Sequence, residues 1–329
     1  MLRKIIWLLL GVVALLALVV AYVALVPEGL DRIASHPQPA ATYSDAVQRV
    51  AALQSQETSG YSSLCQTQLM THGQKVSRAI VLIHGYTACP DEFHTLGQQF
   101  YALGYNVLIA PLPHHGLADR LTHDQGNLTA EELAAYADRV VDIGRGLGDH
   151  VTVAGLSGGG VTTGWVAQTR ADVDQAVLIS PAFGYYQIPA AVTVGEMNAV
   201  LLLPDKFVWW DPVLQDKGGP PPGSPSNGYP QYSQHALAQI LRLGFATRAL
   251  AARTAPAAPA LLVVTNANDT SVDNVATAGV VAVWRAHGAN VRTYEFPAAL
   301  NLPHGLIAPD TKGARVDVVY PKLIELINQ

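Results

Sequence analysis

The sequence predicts an α/β fold built on a mostly parallel sheet, and three observations support this prediction. From residue 76 onward, short apolar runs alternate with segments of helical periodicity. The runs are apolar at successive positions, which is typical of parallel strands that helices cover on both faces. Half of the 329 residues are hydrophobic and only 14% are charged, so the chain can bury a large core.

The first element is an uncharged apolar run, Ile5 to Val26, which follows two basic residues. As a helix, this run would span roughly 33 Å, which is enough to cross a bilayer. A signal peptide usually has an apolar region of only about 7–15 residues and a small-x-small cleavage site, and no Ala-x-Ala stands between this run and Pro27. We predict a membrane anchor in residues 1–26 with the rest of the chain exported. A cleaved signal peptide and a buried core helix are the alternatives.

The second element is a segment of three prolines and little periodicity, residues 27–43, which predicts a stalk that packs little against the rest of the protein. Residues 44–329 are expected to form one domain, and a short helix is expected to begin near Ser44. The two cysteines, Cys65 and Cys89, could pair in an exported protein, since that environment permits disulfides. Two unrelated buried thiols are the alternative interpretation.

Six predicted strands and the helices between them follow. The strands are expected at Ala79–Ile83, Tyr105–Ala110, Val151–Ala154, Gln175–Ile179, Ala260–Thr265 and Val291–Phe296. The clearest helix begins after Thr129, because Thr129 and Glu132 form a capping box ahead of an apolar stripe, and it ends near Gly148. The alternation breaks at about residues 182–257, where Pro, Trp and Tyr are frequent and one helix is expected at Ser233–Ala252. We predict that this insertion caps one end of the sheet.

The segment VTVAGLSGGGVTTGW, residues 151–165, places Ser157 between a buried strand and a helix. Gly155, Ser157 and Gly159 match the pattern G-x-S-x-G, which requires this strand–turn–helix context. The serine lies at the carboxyl end of its strand, where open α/β sheets bind ligands. Glycines around it allow the strand and the helix to pack closely beneath a strained turn. Ser157 is therefore the predicted nucleophile, and a structural glycine turn is the alternative.

A serine hydroxyl needs a base that accepts its proton and an acid that orients the base. In this architecture the acid and then the histidine follow the serine along the chain. Asp269, just past the strand that ends at Thr265, is the predicted acid, and Asp273 is the alternative, although it stands where it would cap the next helix. His304, in the loop after the last strand, is the predicted base, whereas His287 is expected at a helix end.

The oxyanion of an acyl-transfer intermediate needs backbone N–H donors, usually one from the residue after the serine and one from the loop after an early strand. These donors are predicted to be the amides of Gly158 and of Tyr86, which stands in the sequence VLIHGYTACP. An ordinary β-to-α loop is the alternative interpretation of that sequence.

Four motifs in this order, LIHGYTA, GLSGGG, NANDTSV and LPHGLI, resemble the serine carboxylesterase and monoacylglycerol lipase branch of the α/β-hydrolase superfamily over roughly residues 65–329. The resemblance implies the α/β-hydrolase fold and ester hydrolysis through an acyl-serine, with Ser157, Asp269 and His304 as the triad. Epoxide hydrolases and dehalogenases of this fold would carry an acidic residue in place of Ser157.

The sequence departs from that branch in two ways. Glycine follows Ser157 where methionine or leucine is common, and the insertion is longer than the cap of the compact members. Both departures leave the substrate open, so a thioesterase or a lipase that acts on longer acyl chains is the alternative. From another class, the chain could be a membrane-tethered binding module of the same fold without activity, although the intact triad argues against this.

Aromatic and histidine side chains near the insertion are candidate substrate contacts, although such clusters more often belong to the core. The candidates are His115, Tyr185, Trp209 and Trp210. The pair His114 and His115 has no carboxylate or cysteine at ligand spacing nearby, so neither a metal nor another cofactor is expected.

The charge pattern restricts the partners. The net charge is −5 and no run of Lys or Arg occurs, which argues against nucleic-acid binding. The expected partners are a small ester and, through the N-terminal helix, a membrane. The sequence makes no prediction of the oligomeric state.

Overall fold

A computed structural model describes residues 2–186, 188–210 and 227–329. The helices are α1 (Leu2–Leu25), α2 (Tyr43–Gln56), α3 (Asp91–Ala102), α4 (Ala130–Leu147), α5 (Gly158–Thr169), α6 (Thr193–Leu202), α7 (Gln234–Ala251), α8 (Asn274–Ala286) and α9 (Val316–Ile327). The strands are β1 (Gln68–Met70), β2 (Val76–Ile83), β3 (Asn106–Ile109), β4 (Gly148–Leu156), β5 (Gln175–Ile179), β6 (Phe207–Trp209), β7 (Gln231–Ser233), β8 (Ala260–Asn266) and β9 (Val291–Phe296).

Seven strands form one sheet in the order β1-β3-β2-β4-β5-β8-β9. The short edge strand β1 runs antiparallel to β3, and every other neighbouring pair in this sheet is parallel. The prediction of a mostly parallel sheet with helices on both faces is therefore confirmed. The six predicted strands correspond to β2, β3, β4, β5, β8 and β9, whereas β1 was not predicted because it has three residues and no apolar run.

Both faces of the sheet are buried, which explains the continuously apolar strands. Side chains alternate between the two faces along each strand. In β2, Val81 and Ile83 belong to the cluster that α2, α4, α5, α7 and α8 cover, and Ile80 and Leu82 belong to the cluster that α3 and α9 cover. All four side chains are at most 1% exposed.

The predicted capping box at the start of α4 is present. Thr129 Oγ1 accepts a hydrogen bond from the Glu132 N–H at 3.2 Å, and Glu132 Oε2 accepts one from the Thr129 N–H at 3.0 Å. The helix ends at Leu147, where the chain enters β4. Local side-chain chemistry therefore sets the start of the helix that supports the centre of the sheet.

The insertion between β5 and β8 contains α6, the antiparallel pair β6 and β7, and α7. The predicted helix Ser233–Ala252 matches α7, and Ser233 caps it by accepting a hydrogen bond from the Ala236 N–H at 3.0 Å. Buried side chains of α7 such as Leu243 pack with Val161 of α5 in the main core. Most of the Gly- and Pro-rich segment 218–230 lies outside the described residues, and the boundaries of the cap stay a prediction.

An apolar helix, α1, occupies the N-terminus, and none of its side chains between Arg3 and Leu25 is buried. Its length and composition fit a membrane-spanning anchor, and a signal sequence has the same features. Its orientation across a membrane stays a prediction.

The prediction that residues 27–43 pack little against the domain is wrong. Ser35 Oγ donates a hydrogen bond to Asp138 Oδ1 at 2.6 Å, and a backbone N–H of the same segment donates to Asp142 Oδ2 at 2.8 Å. Both aspartates lie on α4 and also bind the buried guanidinium of Arg170. The segment supplies donors that these buried carboxylates need. Extended chain bound in this way carries no periodicity, so the sequence pattern did not reveal it.

A disulfide joins Cys65 to Cys89, which matches the first of the two interpretations from the sequence. Cys65 precedes β1, and Cys89 lies in the loop between β2 and α3 that also contains Tyr86. The bridge therefore fixes one end of the loop that is the candidate for oxyanion binding. Closing a loop of this length, with a sequence separation of 24, stabilises a fold by about 3 kcal/mol in the chain-entropy estimate.

Candidate active site

Ser157 forms the turn between β4 and α5 in a strained backbone conformation. Its φ of 57° and ψ of −114° lie in a region that residues with side chains rarely adopt, at a cost of about 1–3 kcal/mol. Neighbouring backbone holds the turn, since the Ser157 N–H donates to Ile179 O at 3.0 Å and Ser157 O accepts from the Ala182 N–H at 3.1 Å. The turn presents a partly exposed hydroxyl at the carboxyl edge of the sheet.

The two glycines of the G-x-S-x-G pattern are required by close backbone approach. A Cβ on Gly159 would collide with the carbonyl oxygens of Ile83 and His84. A Cβ on Gly155 would collide with the backbone of Gly159. Glycine at these positions therefore lets α5 start directly against β2 and β4, which raises Ser157 above both strands.

His304 and Asp269 form a hydrogen-bonded pair in the loops after β9 and β8. His304 Nδ1 lies 2.7 Å from Asp269 Oδ2. The other carboxylate oxygen of Asp269 accepts from the N–H groups of Ser271 at 2.9 Å and Val272 at 3.1 Å. With an ionised acceptor, His304 carries its proton on Nδ1, so a neutral ring keeps a lone pair on Nε2.

The pairing shifts both pKa values. Burial raises the pKa of Asp269, but the charge of His304 and the hydrogen bonds to the carboxylate outweigh burial, so the net pKa is below the ordinary value. Burial lowers the pKa of His304, but the charge and hydrogen bond of Asp269 outweigh it, so the net pKa is above 6.5. A carboxylate that stays ionised beside a histidine that accepts a proton readily is the arrangement that an acid–base relay requires.

The rival candidates have structural positions instead. Asp273 caps α8, where its Oδ1 accepts from the Val275 N–H at 2.8 Å. His287 follows the last residue of α8, and its own N–H donates to carbonyls of that helix. The structure therefore brings Asp269, and not Asp273, to His304.

The two predicted oxyanion donors lie side by side next to the serine. A Cβ built on Gly158 would lie 3.4 Å from the Tyr86 nitrogen, and one built on Gly85 would lie 3.6 Å from Ser157 Cβ. Gly158 is the first residue of α5, so its N–H has no acceptor within the helix and stands at the positive end of the helix dipole. In the described part of the chain, the Tyr86 N–H has no hydrogen-bond acceptor.

Glu92, on the first turn of α3, is bonded to the loop between β2 and α3, and the sequence analysis did not identify it as a site residue. Its side chain is 3% exposed, and Oε2 accepts a hydrogen bond from the Gly85 N–H at 2.7 Å. Burial raises the pKa of Glu92 to about 7 from an ordinary value of 4.5. The charges of Glu92 and His304 influence each other's pKa, so this carboxyl belongs to the surroundings of the candidate triad. An acidic residue in the first turn of a helix is common, so the sequence carried no special signal.

The Tyr86 side chain fastens the same loop to the cap. Its hydroxyl donates to Gln125 Oε1 at 2.6 Å and accepts from the Ser233 N–H at 2.9 Å. Trp210 Nε1 donates to Thr87 Oγ1 at 3.2 Å, so this candidate side chain lies beside the loop and is 38% exposed. The position of the Tyr86 amide therefore depends on contacts that cross from the sheet to the insertion.

The placement of His115 contradicts its selection as a substrate contact. Its side chain is fully buried, Nε2 accepts from the Thr87 N–H at 3.3 Å, and Nδ1 bonds Pro113 O at 2.8 Å. Burial lowers its pKa to about 4, so the ring is neutral at pH 7 and both nitrogens are occupied by backbone groups. His115 helps to position the loop, and His114 lies outside it between Asp124 and Glu132.

The remaining aromatic candidates belong to the insertion. Tyr185 lines a cavity of about 120 Å³ between α6 and α7, together with Met197, Tyr232 and Leu241. Its hydroxyl donates to Leu237 O at 3.1 Å. Trp209 is half-buried in β6. Across the described ranges, no group of three His, Cys, Asp or Glu side chains is arranged to hold a metal ion.

Comparisons with known proteins identify what the chain is similar to. A family model described as serine aminopeptidase, S33, matches residues 74–217, a stretch that contains both the Tyr86 loop and the Ser157 turn. A thermostable monoacylglycerol lipase from Bacillus sp. (strain H-257) is 29% identical over 122 residues. That alignment covers 35% of this chain and 45% of the lipase, so it spans less than half of the relative's length.

Solved structures share the fold over most of the chain. One describes LipS and LipT, two metagenome-derived lipolytic enzymes, with a TM-score of 0.56, 17% identity, and coverage of 81% of this chain and 98% of that one. A monoacylglycerol lipase from Paleococcus ferrophilus gives a TM-score of 0.56, 15% identity, and coverage of 79% and 97%. This chain thus has the α/β-hydrolase fold, and the proteins to which it is similar include a monoacylglycerol lipase and lipolytic enzymes.

Proposed function

We propose that this protein is a membrane-anchored serine hydrolase that cleaves carboxylic esters through an acyl-enzyme. Ser157 is the nucleophile, His304 is the general base and acid, and Asp269 orients the imidazole. The observation that carries the proposal is the 2.7 Å bond between His304 Nδ1 and Asp269 Oδ2. It leaves Nε2 as the ring's acceptor at the same sheet edge that presents the Ser157 hydroxyl.

Acylation begins when His304 Nε2 takes the proton from Ser157 Oγ, which attacks the ester carbonyl carbon. The amides of Tyr86 and Gly158 hold the oxyanion of the tetrahedral intermediate, in a place where fixed donors need no reorganisation. The intermediate collapses as the C–O bond to the alcohol breaks, and the imidazolium gives its proton to the departing oxygen. The products of this half-reaction are an alcohol and an acyl-serine.

Deacylation repeats these steps with water. His304 Nε2 takes a proton from the water, whose oxygen attacks the acyl carbon, and the same amides hold the second oxyanion. The intermediate then releases the carboxylic acid and returns the proton to Ser157 Oγ. Asp269 stabilises the imidazolium in both halves without itself taking a proton. The net reaction converts ester and water into alcohol and acid.

The comparisons support carboxylic esters ahead of other acyl donors. A relative that matches in sequence is a monoacylglycerol lipase, and solved structures of the same fold include lipolytic enzymes. A thioesterase or a lipase for longer acyl chains remains the alternative, and a binding module without activity is the alternative from another class.

The catalytic domain is proposed to lie on the exported side of a membrane. The apolar length of α1 supports the anchor, and the disulfide between Cys65 and Cys89 supports an oxidising compartment. A mature protein that begins near Pro27 and stays soluble would remove the anchor from the proposal and leave the chemistry unchanged.

The test is a hydrolysis series over p-nitrophenyl esters from short to long acyl chains, with p-nitroanilides as amide counterparts. Ser157→Ala is expected to lower kcat by about 10⁴-fold or more, because the nucleophile is lost while a small side chain fits the turn. Ser271→Ala is the matched control, since Ser271 contributes its N–H to Asp269 and the variant keeps it. Retention of more than about a tenth of the activity in Ser157→Ala would remove Ser157 as the nucleophile. Faster cleavage of the anilides would replace the ester assignment with an amidase.

A further inference from the structure

The cap is hydrogen-bonded to the C-terminal end of α1. Asn198 of α6 is 3% exposed, and its Nδ2 donates to Val23 O at 2.8 Å and to Val26 O at 2.8 Å. These two carbonyls lie at the end of α1, where a helix has no internal donors left for them. A Cβ built on Gly195 of α6 would lie 3.2 Å from Ala24 Cα of α1, so the backbones of these two helices are in close contact.

The chain that follows α1 is fastened to the domain as well. Arg242 of α7 donates from Nε to Glu28 O at 3.0 Å and from Nη2 to Gly29 O at 2.6 Å. Its guanidinium also pairs with Glu131 of α4 at 2.7 Å. The end of α1 and the chain that follows it are therefore both hydrogen-bonded to the cap.

The surface next to this junction is apolar and exposed. The side chains of Leu202 and Leu203 are 67% and 60% exposed, and Val192 is 50% exposed. At the end of α1, Leu25 is 72% exposed and Val26 is 40% exposed. We call these five residues the α6 surface. The helix α6 carries no Lys, Arg or Asp and a single Glu, so little charge opposes contact with an apolar phase.

We propose that the α6 surface rests in the headgroup region of the membrane that α1 crosses, so that the cap lies against the lipid. The inference rests on the proposed anchoring by α1. If α1 spans the bilayer, the hydrogen bonds from Asn198 to Val23 O and Val26 O hold α6 at the level where the apolar run ends. Exposed leucines at that level can enter the boundary between headgroups and acyl chains, as the apolar face of an interfacial helix does.

The experiment places a fluorophore on the α6 surface of the full chain. Leu202→Cys, labelled with NBD while the native disulfide is kept intact, is reconstituted into phosphatidylcholine vesicles that contain doxyl-labelled lipid. Leu103→Cys is the matched control, because Leu103 is an exposed leucine, 45% exposed, that lies outside the cap and before the amino end of β3. We expect doxyl lipid to quench the label at position 202 and to leave the label at position 103 unchanged.

Equal and weak quenching at both positions, in chains that stay with carbonate-washed vesicles, would overturn the proposal. Protection of position 202 by a second copy of the chain, seen as cross-linked dimers without lipid quenching, would also overturn it. Loss of the chain from washed vesicles would overturn both the anchoring and this inference. Labelling of Ser157 by a fluorophosphonate in the same samples reports separately on the hydrolase, so the two failures are distinguishable.

Discussion

Asp269→Asn is expected to inactivate the enzyme by trapping His304 in the wrong tautomer. The wild-type carboxylate accepts hydrogen bonds on both oxygens, from His304 Nδ1 on one and from the N–H groups of Ser271 and Val272 on the other. An asparagine has one oxygen and one NH₂ group to place in the same two positions. Either His304 or the pair of backbone amides must therefore face a donor instead of an acceptor.

The structure indicates which arrangement prevails. Turning the NH₂ group toward the backbone would leave two buried N–H groups without an acceptor, at about 1–3 kcal/mol each. The amide oxygen therefore stays on the backbone side, and the NH₂ group donates to His304 Nδ1. The imidazole proton then moves to Nε2, where it blocks acceptance of the Ser157 proton. The same change in a serine-protease triad lowers kcat by about 10⁴-fold, and a loss of that order is expected here.

The assay is kcat on a p-nitrophenyl ester, with far-ultraviolet circular dichroism to confirm the fold. Asp273→Asn is the matched control, because asparagine caps a helix as well as aspartate and the cost to stability is at most about 1 kcal/mol. The pH profile gives a second readout. Since the charge of Asp269 helps to raise the pKa of His304, the acidic limb of kcat/KM is expected at lower pH in Asp269→Asn. Normal kcat in Asp269→Asn together with an inactive Asp273→Asn would refute this reasoning.

Three further predictions concern the supports of the site. Burial raises the pKa of Glu92 to about 7, above its ordinary value of 4.5, so its ionisation destabilises the folded state as pH rises from about 4.5 to 7. In urea unfolding, the free energy of unfolding of Glu92→Gln should gain up to about 3 kcal/mol relative to the wild type between pH 5 and pH 8. A difference that stays constant with pH would contradict this. Gly159→Ala should destabilise the folded state by about 3 kcal/mol or more, because the added Cβ collides with backbone. Gly279→Ala on α8, where the space is open, should stabilise it by about 0.5–1 kcal/mol. Equal urea midpoints of the two variants would be the contrary result. Deletion of residues 1–26 should give a soluble and active protein. Deletion of residues 1–40 should lower the urea midpoint, because it also removes hydrogen-bond donors from buried carboxylates of α4. Equal midpoints of the two truncated proteins would contradict that account.

The sequence predicted the parts of the fold and site that depend on local pattern. Continuous apolar runs predicted six of the seven strands of the main sheet, because strands buried on both faces leave that signature. The sequence distinguished Asp269 from Asp273, because Asp273 stands directly ahead of a predicted helix, where it would be a cap, and Asp269 does not. In the structure, Asp273 does cap α8 and Asp269 does bind His304.

The features that the sequence did not reveal depend on contacts between distant segments. His115 was a candidate substrate contact in the sequence, yet its side chain is buried and its ring packs against the rings of Tyr86 and Tyr229. Glu92 resembled an ordinary first-turn acid, and only the fold brings its carboxyl to the Gly85 N–H. Neither pairing has a signature within a window of a few residues.

The most direct test of the central claim asks which serine is activated and whether its activation depends on His304. A fluorophosphonate probe is incubated with the wild type and with His304→Ala, and the adduct is located by peptide mass spectrometry. The account predicts one adduct, on the peptide that contains Ser157, and a labelling rate that falls by orders of magnitude in His304→Ala, because the hydroxyl is a poor nucleophile without its base. An adduct on another serine, or equal labelling of Ser157 in the two proteins, would contradict the proposed triad.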